Sequence, residues 1–120
     1  MNFTRKDALQ AYAQMLSTLS VEPFAWKLAK NFHYSSAWVF EELQSRDEYL
    51  SYIRPKLKAI KASGSLIWTR LGYWGDQPCL ALAQGSADNH LCTVFAKVRK
   101  GMIAAISLQI VPTLYDVEFR

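Results

Sequence analysis

The chain has 120 residues, the size of one domain, and 51% of them are hydrophobic against 20% charged, a balance that excludes a disordered chain. We therefore expect a single globular domain over residues 1–120. A formal net charge of +4 favours anionic partners without identifying one. No apolar run approaches the length of a membrane span, and the first ten residues lack the apolar segment of a signal peptide, so we expect a cytoplasmic protein.

Helix signals come first along the chain. Thr4, followed three residues later by Asp7, is a pattern that starts helices, and apolar residues at helical spacing predict a first helix over residues 5–19. Proline is favoured at the first helical position, so Pro23 predicts a short second helix over residues 24–30. These two helices would precede all of the predicted strands.

A strand and a third helix follow. Residues 31–40 are rich in aromatic and small side chains without helical period, which predicts a strand with a bend near its middle. Ser45 and Glu48 have the spacing of a capping box, and the apolar pattern after them predicts a helix that ends at Gly64. Pro55 lies inside that pattern and predicts a kink or a break.

The second half of the chain alternates apolar and polar residues, as half-buried strands do. The predicted strands cover residues 65–74, 79–84, 91–99 and 102–111. Lys100-Gly101 is the pattern of a tight two-residue hairpin. Helices followed by hairpin-connected strands predict an α+β fold, with helices packed on one face of a strongly curved antiparallel sheet.

The order of the predicted elements, which is helix, short helix, strand, capped helix and then an antiparallel meander, resembles the nuclear-transport-factor-2-like superfamily, which includes ketosteroid isomerase and scytalone dehydratase. Two stretches carry the resemblance most specifically. Residues 28–35 (LAKNFHYS) look like that family's second helix end and first strand, and residues 45–50 (SRDEYL) look like the opening of its third helix. The resemblance covers nearly the whole chain. It implies a cone-shaped, cystatin-like fold that encloses an apolar pocket. The family's isomerases carry an acidic base on the first strand, whereas this chain has no Asp or Glu between Glu22 and Glu41.

The sequence predicts neither a metal site nor a bound cofactor. Cys79 and Cys92 are isolated, without the spacing of zinc ligands, and whether they lie close together is left open. The basic residues do not form a stripe interleaved with aromatic residues, and no RNA-binding motif is present. These features argue against a nucleic-acid-binding protein.

Three functional hypotheses follow. The first is a non-catalytic protein that binds an apolar or aromatic small molecule in an aromatic-lined cavity; its predicted lining is Tyr12, Trp26, Tyr34, Trp38 and Trp68. The second is a lyase or isomerase that uses His33 as its base, with Tyr12 or Tyr34 as hydrogen-bond donor. The third is a protein-interaction module, of the adaptor or immunity type, that forms a homodimer through its sheet. We place small-molecule binding first, and a homodimer is compatible with it.

Overall fold

The computed structural model describes residues 2–119, apart from the side chains of residues 39 and 40. In this part of the chain the elements are, in order, α1 (Arg5–Thr18), α2 (Glu22–Ala25), β1 (Leu28–Ser36), β2 (Val39–Leu43), α3 (Arg46–Ser63), β3 (Ile67–Trp74), β4 (Gln77–Gln84), β5 (His90–Arg99) and β6 (Met102–Gln109). None of the helices described is long and apolar enough to cross a membrane.

The strands form one open sheet with the order β2-β1-β6-β5-β4-β3. Neighbouring strands are antiparallel except β1 and β6, which pair in parallel. The α+β class is thus confirmed, while the sheet is mixed rather than wholly antiparallel. The reason is topological. A hairpin forces its two strands to be antiparallel, but β1 and β6 are joined by most of the chain, which leaves either direction open to them.

The helices α1 and α3 cover one face of the sheet, here called the inner face, and the hydrophobic core lies between them. Leu9 and Met15 of α1 and Ile53 of α3 are buried in this core, together with Ile103 and Ile106 of β6. The opposite face of the sheet is called the outer face. Because successive residues of a strand point to opposite faces, each strand supplies side chains to both.

Side-chain caps begin both long helices. The Thr4 hydroxyl accepts a hydrogen bond from the Asp7 N–H at 3.1 Å, and the Asp7 carboxylate accepts one from the Thr4 N–H at 2.9 Å, as predicted. Ser45 Oγ likewise accepts from the Glu48 N–H at 3.1 Å. The Glu48 carboxylate, however, accepts from the N–H of Gln44 and not from that of Ser45. The third helix is therefore capped from two consecutive positions.

The boundaries before α3 differ from the predictions. The second helix ends at Ala25, and β1 begins at Leu28, because Leu28 pairs with Ile103 of β6 and this tertiary pairing outweighs local helical tendency. The predicted bent strand is instead two antiparallel strands, β1 and β2, joined by residues 37–38. Pro55 neither ends nor interrupts α3, which continues to Ser63.

Residues 112–119 pack across the outer face of β3, β4 and β5. The buried Thr93 hydroxyl donates to the Pro112 carbonyl oxygen at 2.7 Å. Farther along, Tyr73 and Glu118 exchange two backbone hydrogen bonds of 2.8 Å, one in each direction. Gly72 lies directly beneath, where a Cβ atom would be only 2.6 Å from a methyl group of Val117. The missing side chain of Gly72 is what admits this segment.

Candidate functional site

Four tyrosines converge between the helices and the inner face. This tyrosine cluster consists of Tyr12 on α1, Tyr34 on β1, and Tyr49 and Tyr52 on α3. Tyr12, Tyr34 and Tyr49 are buried, whereas Tyr52 is half-buried. The ring centroid of Tyr34 lies 4.9 Å from that of Tyr49 and 5.5 Å from that of Tyr52. Helix and sheet thus bring together phenols that are far apart in sequence.

Phenylalanine rings hold the cluster in place. Phe32 packs edge-on against Tyr49 with centroids 5.1 Å apart, and Phe24 packs against Tyr12 at 5.6 Å. Edge-to-face contacts of this kind stabilise a pair of rings by about 1 kcal/mol beyond the area that they bury. The interior of the fold is therefore aromatic, and tyrosine and phenylalanine form it.

The hydroxyl of Tyr49 is the exceptional group in the cluster. It is buried and has no hydrogen-bond partner among the described residues. A buried hydroxyl without a partner costs about 1–3 kcal/mol relative to one that is satisfied. At the edge of the cluster, by contrast, Tyr52 accepts a hydrogen bond of 3.0 Å from Lys56 Nζ, which lies on the exposed side of α3.

Burial keeps the phenols neutral. It is the largest cause of the raised pKa values of Tyr12, Tyr34 and Tyr49, and the mutual proximity of the four hydroxyls raises them further. Burial also raises the pKa of the nearby Cys92 thiol to about 12. At neutral pH these groups are protonated. The cluster can donate hydrogen bonds to an acceptor oxygen, but the phenols of Tyr12, Tyr34 and Tyr49 do not act as bases.

The predicted tryptophan lining lies elsewhere. Trp26, at the end of α2, is 80% exposed, and Trp38, between β1 and β2, is 56% exposed. Trp68 is 45% exposed and lies on the outer face, since its partner in the sheet is Ala83. Of the five residues predicted to line a cavity, the structure brings together only Tyr12 and Tyr34.

His33 lies on the outer face, because it is adjacent to Tyr34 in β1 and neighbouring strand residues point in opposite directions. Its Nδ1 atom is 2.6 Å from a carboxylate oxygen of Glu42 on β2, and about half of each side chain is exposed. The structure therefore does not bring His33 to the hydroxyls of Tyr12 and Tyr34. A role for His33 as a base stays a prediction, and it would require a substrate on the outer face.

The predicted lining of the cavity did not include Tyr49 or Tyr52. Both lie on the apolar side of α3, in the same stripe as Ile53, so the spacing that predicts the helix also predicts that they face the sheet. The helical spacing does not predict that Tyr34 lies opposite them. That juxtaposition depends on where β1 lies in the sheet.

No family model matches the chain, and no curated protein matches it. Solved structures do. An NTF2-like protein of unknown function from Cytophaga hutchinsonii superposes with a TM-score of 0.64 over 90% of each chain at 13% identity. A putative polyketide cyclase from Sinorhizobium meliloti gives 0.60 over 86% of this chain and 94% of that one at 15% identity. A putative ketosteroid isomerase from Kribbella flavida gives 0.63 over 88% and 76% at 19% identity.

The chain has the nuclear-transport-factor-2-like fold. The likeness covers nearly all of it and confirms the resemblance carried by residues 28–35 and 45–50 at the level of the fold. At sequence identities this low, structural similarity shows a shared backbone arrangement and not a shared activity, because this fold supports unrelated functions through different side chains. The function of this protein depends on its own side chains.

Proposed function

We propose that this protein binds an apolar or aromatic small molecule in the interior of the NTF2-like cone, where the tyrosine cluster donates hydrogen bonds to an acceptor oxygen on the ligand. The observation that carries the proposal is the buried hydroxyl of Tyr49, which has no partner among the described residues. An acceptor oxygen at that position would satisfy it. The aromatic rings around it suit a flat apolar ligand better than a charged one.

The chemistry of the cluster favours binding over catalysis. Burial holds the phenols of Tyr12, Tyr34 and Tyr49 neutral, and His33 and Glu42 lie together on the other face of the sheet. A carbonyl or ether oxygen is the simplest ligand group that fits, because a neutral phenol is a hydrogen-bond donor of ordinary strength. The half-buried Tyr52 and the exposed Lys56 next to it mark the side on which the cluster is nearest to solvent, and the ligand would enter there.

Tyr49→Phe tests the proposal, because it removes only the unpartnered oxygen. Without ligand, the variant is expected to raise the free energy of unfolding by about 1 kcal/mol, since no hydrogen bond is lost and a desolvated hydroxyl is removed. Against a panel of aromatic ketones and phenols, followed by isothermal titration, it is expected to bind about five- to tenfold more weakly than the natural chain. Stability and affinity thus change in opposite directions.

Tyr115→Phe is the matched control, because it removes the same atom from a side chain that is 96% exposed. It is expected to change neither quantity. Native mass spectrometry of freshly purified protein gives an independent measurement, in which a reproducible extra small-molecule mass is expected on the natural chain. Two results together would overturn the proposal: a Tyr49→Phe variant that is less stable than the natural chain, and equal affinity of both variants for every compound that binds.

A further inference from the structure

A concave surface lies on the outer face, on the side of the sheet opposite the tyrosine cluster. It is an open groove of about 1170 Å³. It runs across the strands from the β3–β4 turn, over β5 and β6, to β1 and β2. With strands about 4.8 Å apart, this path is up to roughly 24 Å long. Small side chains form its floor: Ser35, Ala105 and Ser107.

Positive charge is concentrated along this groove. The chain has fourteen lysines and arginines, and six of those in the described part of the chain line it. They come from α1, β1, α3 and the β5–β6 hairpin: Arg5, Lys30, Arg46, Lys97, Arg99 and Lys100. Glu42 is the acidic side chain in the described lining, and it is engaged with His33 at 2.6 Å. The whole chain has ten acidic residues against its fourteen basic ones, so the groove is far more basic than the molecule.

An aromatic pair forms one end of the groove. Trp74, at the end of β3, is 46% exposed and packs edge-on against Phe95 of β5, with ring centroids 6.0 Å apart at an angle of 64°. Phe95 thereby fixes the orientation of the indole while leaving part of it open to the groove. An exposed indole held in this way is a surface on which another flat ring can stack.

We propose that the outer groove binds a single strand of nucleic acid. A row of cations matches the spaced phosphates of the backbone, and the Trp74 ring provides a stacking surface for a base. The amide side chains of Asn31, Gln77 and Gln109, which also line the groove, can bond to base edges or sugars. This surface lies opposite the tyrosine cluster, so the inference does not depend on the proposed small-molecule ligand.

Other occupants fit the groove less well. A second copy of the chain docked groove to groove would bring cations against cations. An acidic peptide would cross the paired interior strands, whose backbone groups are already hydrogen-bonded, and could not extend the sheet. The alanine and serine floor also lacks deep apolar pockets for peptide side chains.

The test is fluorescence anisotropy with a labelled 20-nucleotide oligothymidine, titrated with the full chain at salt concentrations from 50 to 200 mM. We expect saturable binding, with log K falling linearly as log salt rises at a slope near −0.7 for each phosphate contact. Lys97→Gln with Lys100→Gln should make the slope shallower by about 1.4 and lower the affinity. Lys58→Gln with Lys61→Gln removes the same charge from exposed positions of α3, outside the groove, and should change the affinity less than twofold.

Trp74→Ala separates stacking from charge. It should weaken binding by roughly 5- to 100-fold without changing the salt slope, because stacking on an aromatic ring releases no counterions. Tyr115→Ala removes an exposed aromatic ring outside the groove and should have no effect. Circular dichroism melts of each variant establish that it is folded before the titrations are compared.

Three results would overturn the proposal. One is the absence of binding at 50 mM salt. Another is an equal loss of affinity in the two double-lysine variants, which would mean attraction to net charge alone. The last is a poly-glutamate peptide of equal length that binds as tightly as the oligonucleotide, together with a silent Trp74→Ala variant, which would assign the groove to acidic polypeptides.

Discussion

At the scale of single residues, the face of the sheet decides what each side chain can do. His33 and Tyr34 are neighbours in β1, yet one faces a basic groove and the other a buried set of phenols.

The two cysteines also lie on opposite faces of the sheet. Cys92 pairs with Leu82 and is in the core, whereas Cys79 is three residues away from Leu82 in β4 and therefore lies on the outer face. The sheet itself separates them, so they cannot form a disulfide with each other.

Both thiols are expected to be unreactive in the folded protein. Each is buried, and burial raises the pKa of both, to about 12 for Cys92, so neither is a thiolate at neutral pH. Addition of dithionitrobenzoate at pH 8 should titrate essentially no thiol in the native state and both in guanidinium chloride. A thiol that reacts rapidly in the native state would contradict the burial of both cysteines.

At the scale of elements, capping decides where α3 begins. Ser45→Ala removes the acceptor for the Glu48 N–H and is expected to lower the free energy of unfolding by about 1 kcal/mol, which is a fall of about 4 °C in Tm for a domain of this size. Ser51→Ala, at an exposed position within the same helix, should leave Tm unchanged or slightly raised, because alanine is the better helix former. Thermal denaturation followed at 222 nm measures both. Equal losses would mean that the cap contributes nothing specific.

The segment over residues 112–119 depends on one glycine. A Cβ atom at Gly72 would lie 2.6 Å from Val117 Cγ1 and 3.0 Å from the Glu118 carbonyl oxygen, so Gly72→Ala should displace the segment from the sheet. Since Cys79 pairs with Gly72 and shares its face, its thiol should then become reactive while Cys92 stays protected. Mass spectrometry of the labelled peptides distinguishes the two.

The double variant that combines Gly72→Ala with Val117→Ala provides the control for that prediction. Val117→Ala removes the methyl group that the Cβ atom of Gly72→Ala would meet first, and it should restore part of the protection of Cys79. Protection of Cys79 that is unchanged in Gly72→Ala would show that the segment accommodates the extra methyl group without moving.

At the scale of the whole molecule, the buried phenols couple stability to alkaline pH. Burial raises the pKa values of Tyr12, Tyr34 and Tyr49 in the folded state, so the folded chain retains protons that the unfolded chain loses above about pH 10. The free energy of unfolding should therefore be insensitive to these groups below pH 10 and fall as the pH rises above it. Urea melts between pH 8 and 11.5 measure the decline.

Phenolate absorbance at 295 nm tests the same prediction independently, because it follows the ionisation of the tyrosines and not the free energy of unfolding. The three buried phenols should ionise together with the loss of the helical circular dichroism signal, and not before it. Ionisation of all six tyrosines of the chain in a molecule that is still folded would contradict the packing of the cluster.

Much of the backbone follows from local chemistry. Thr4 with Asp7 and Ser45 with Glu48 mark the starts of the two long helices, and Gly64 marks the end of the second, because capping depends on a few adjacent residues. Lys100-Gly101 forms the predicted tight hairpin, with positive φ at both positions. The order of elements and the alternation of the strands then suffice for the fold class.

The features that depend on pairing between distant strands could not be predicted from the spacing of residues along the chain. That β1 begins at Leu28 and runs parallel to β6 is decided by contacts with residues some 75 positions away. The same pairing places Tyr34 against Tyr49, which completes the tyrosine cluster, and leaves Trp26 and Trp38 outside it. Composition indicated that aromatic residues would line a cavity, but whether tyrosine or tryptophan lies in the interior is a property of the packing.

The sequence by itself determined the helix caps, the strand alternation and the α+β class, because these depend on residues within a few positions of one another. Only the tertiary structure decided on which face of the sheet each polar side chain lies and which other side chains lie near it. Arg5, Lys30, Arg46 and Lys97 are scattered along the chain and form no stripe, yet the sheet and its flanking helices place them around one groove. Charge and hydrogen bonding act through space, so sites built from distant residues come into existence only when the chain is folded.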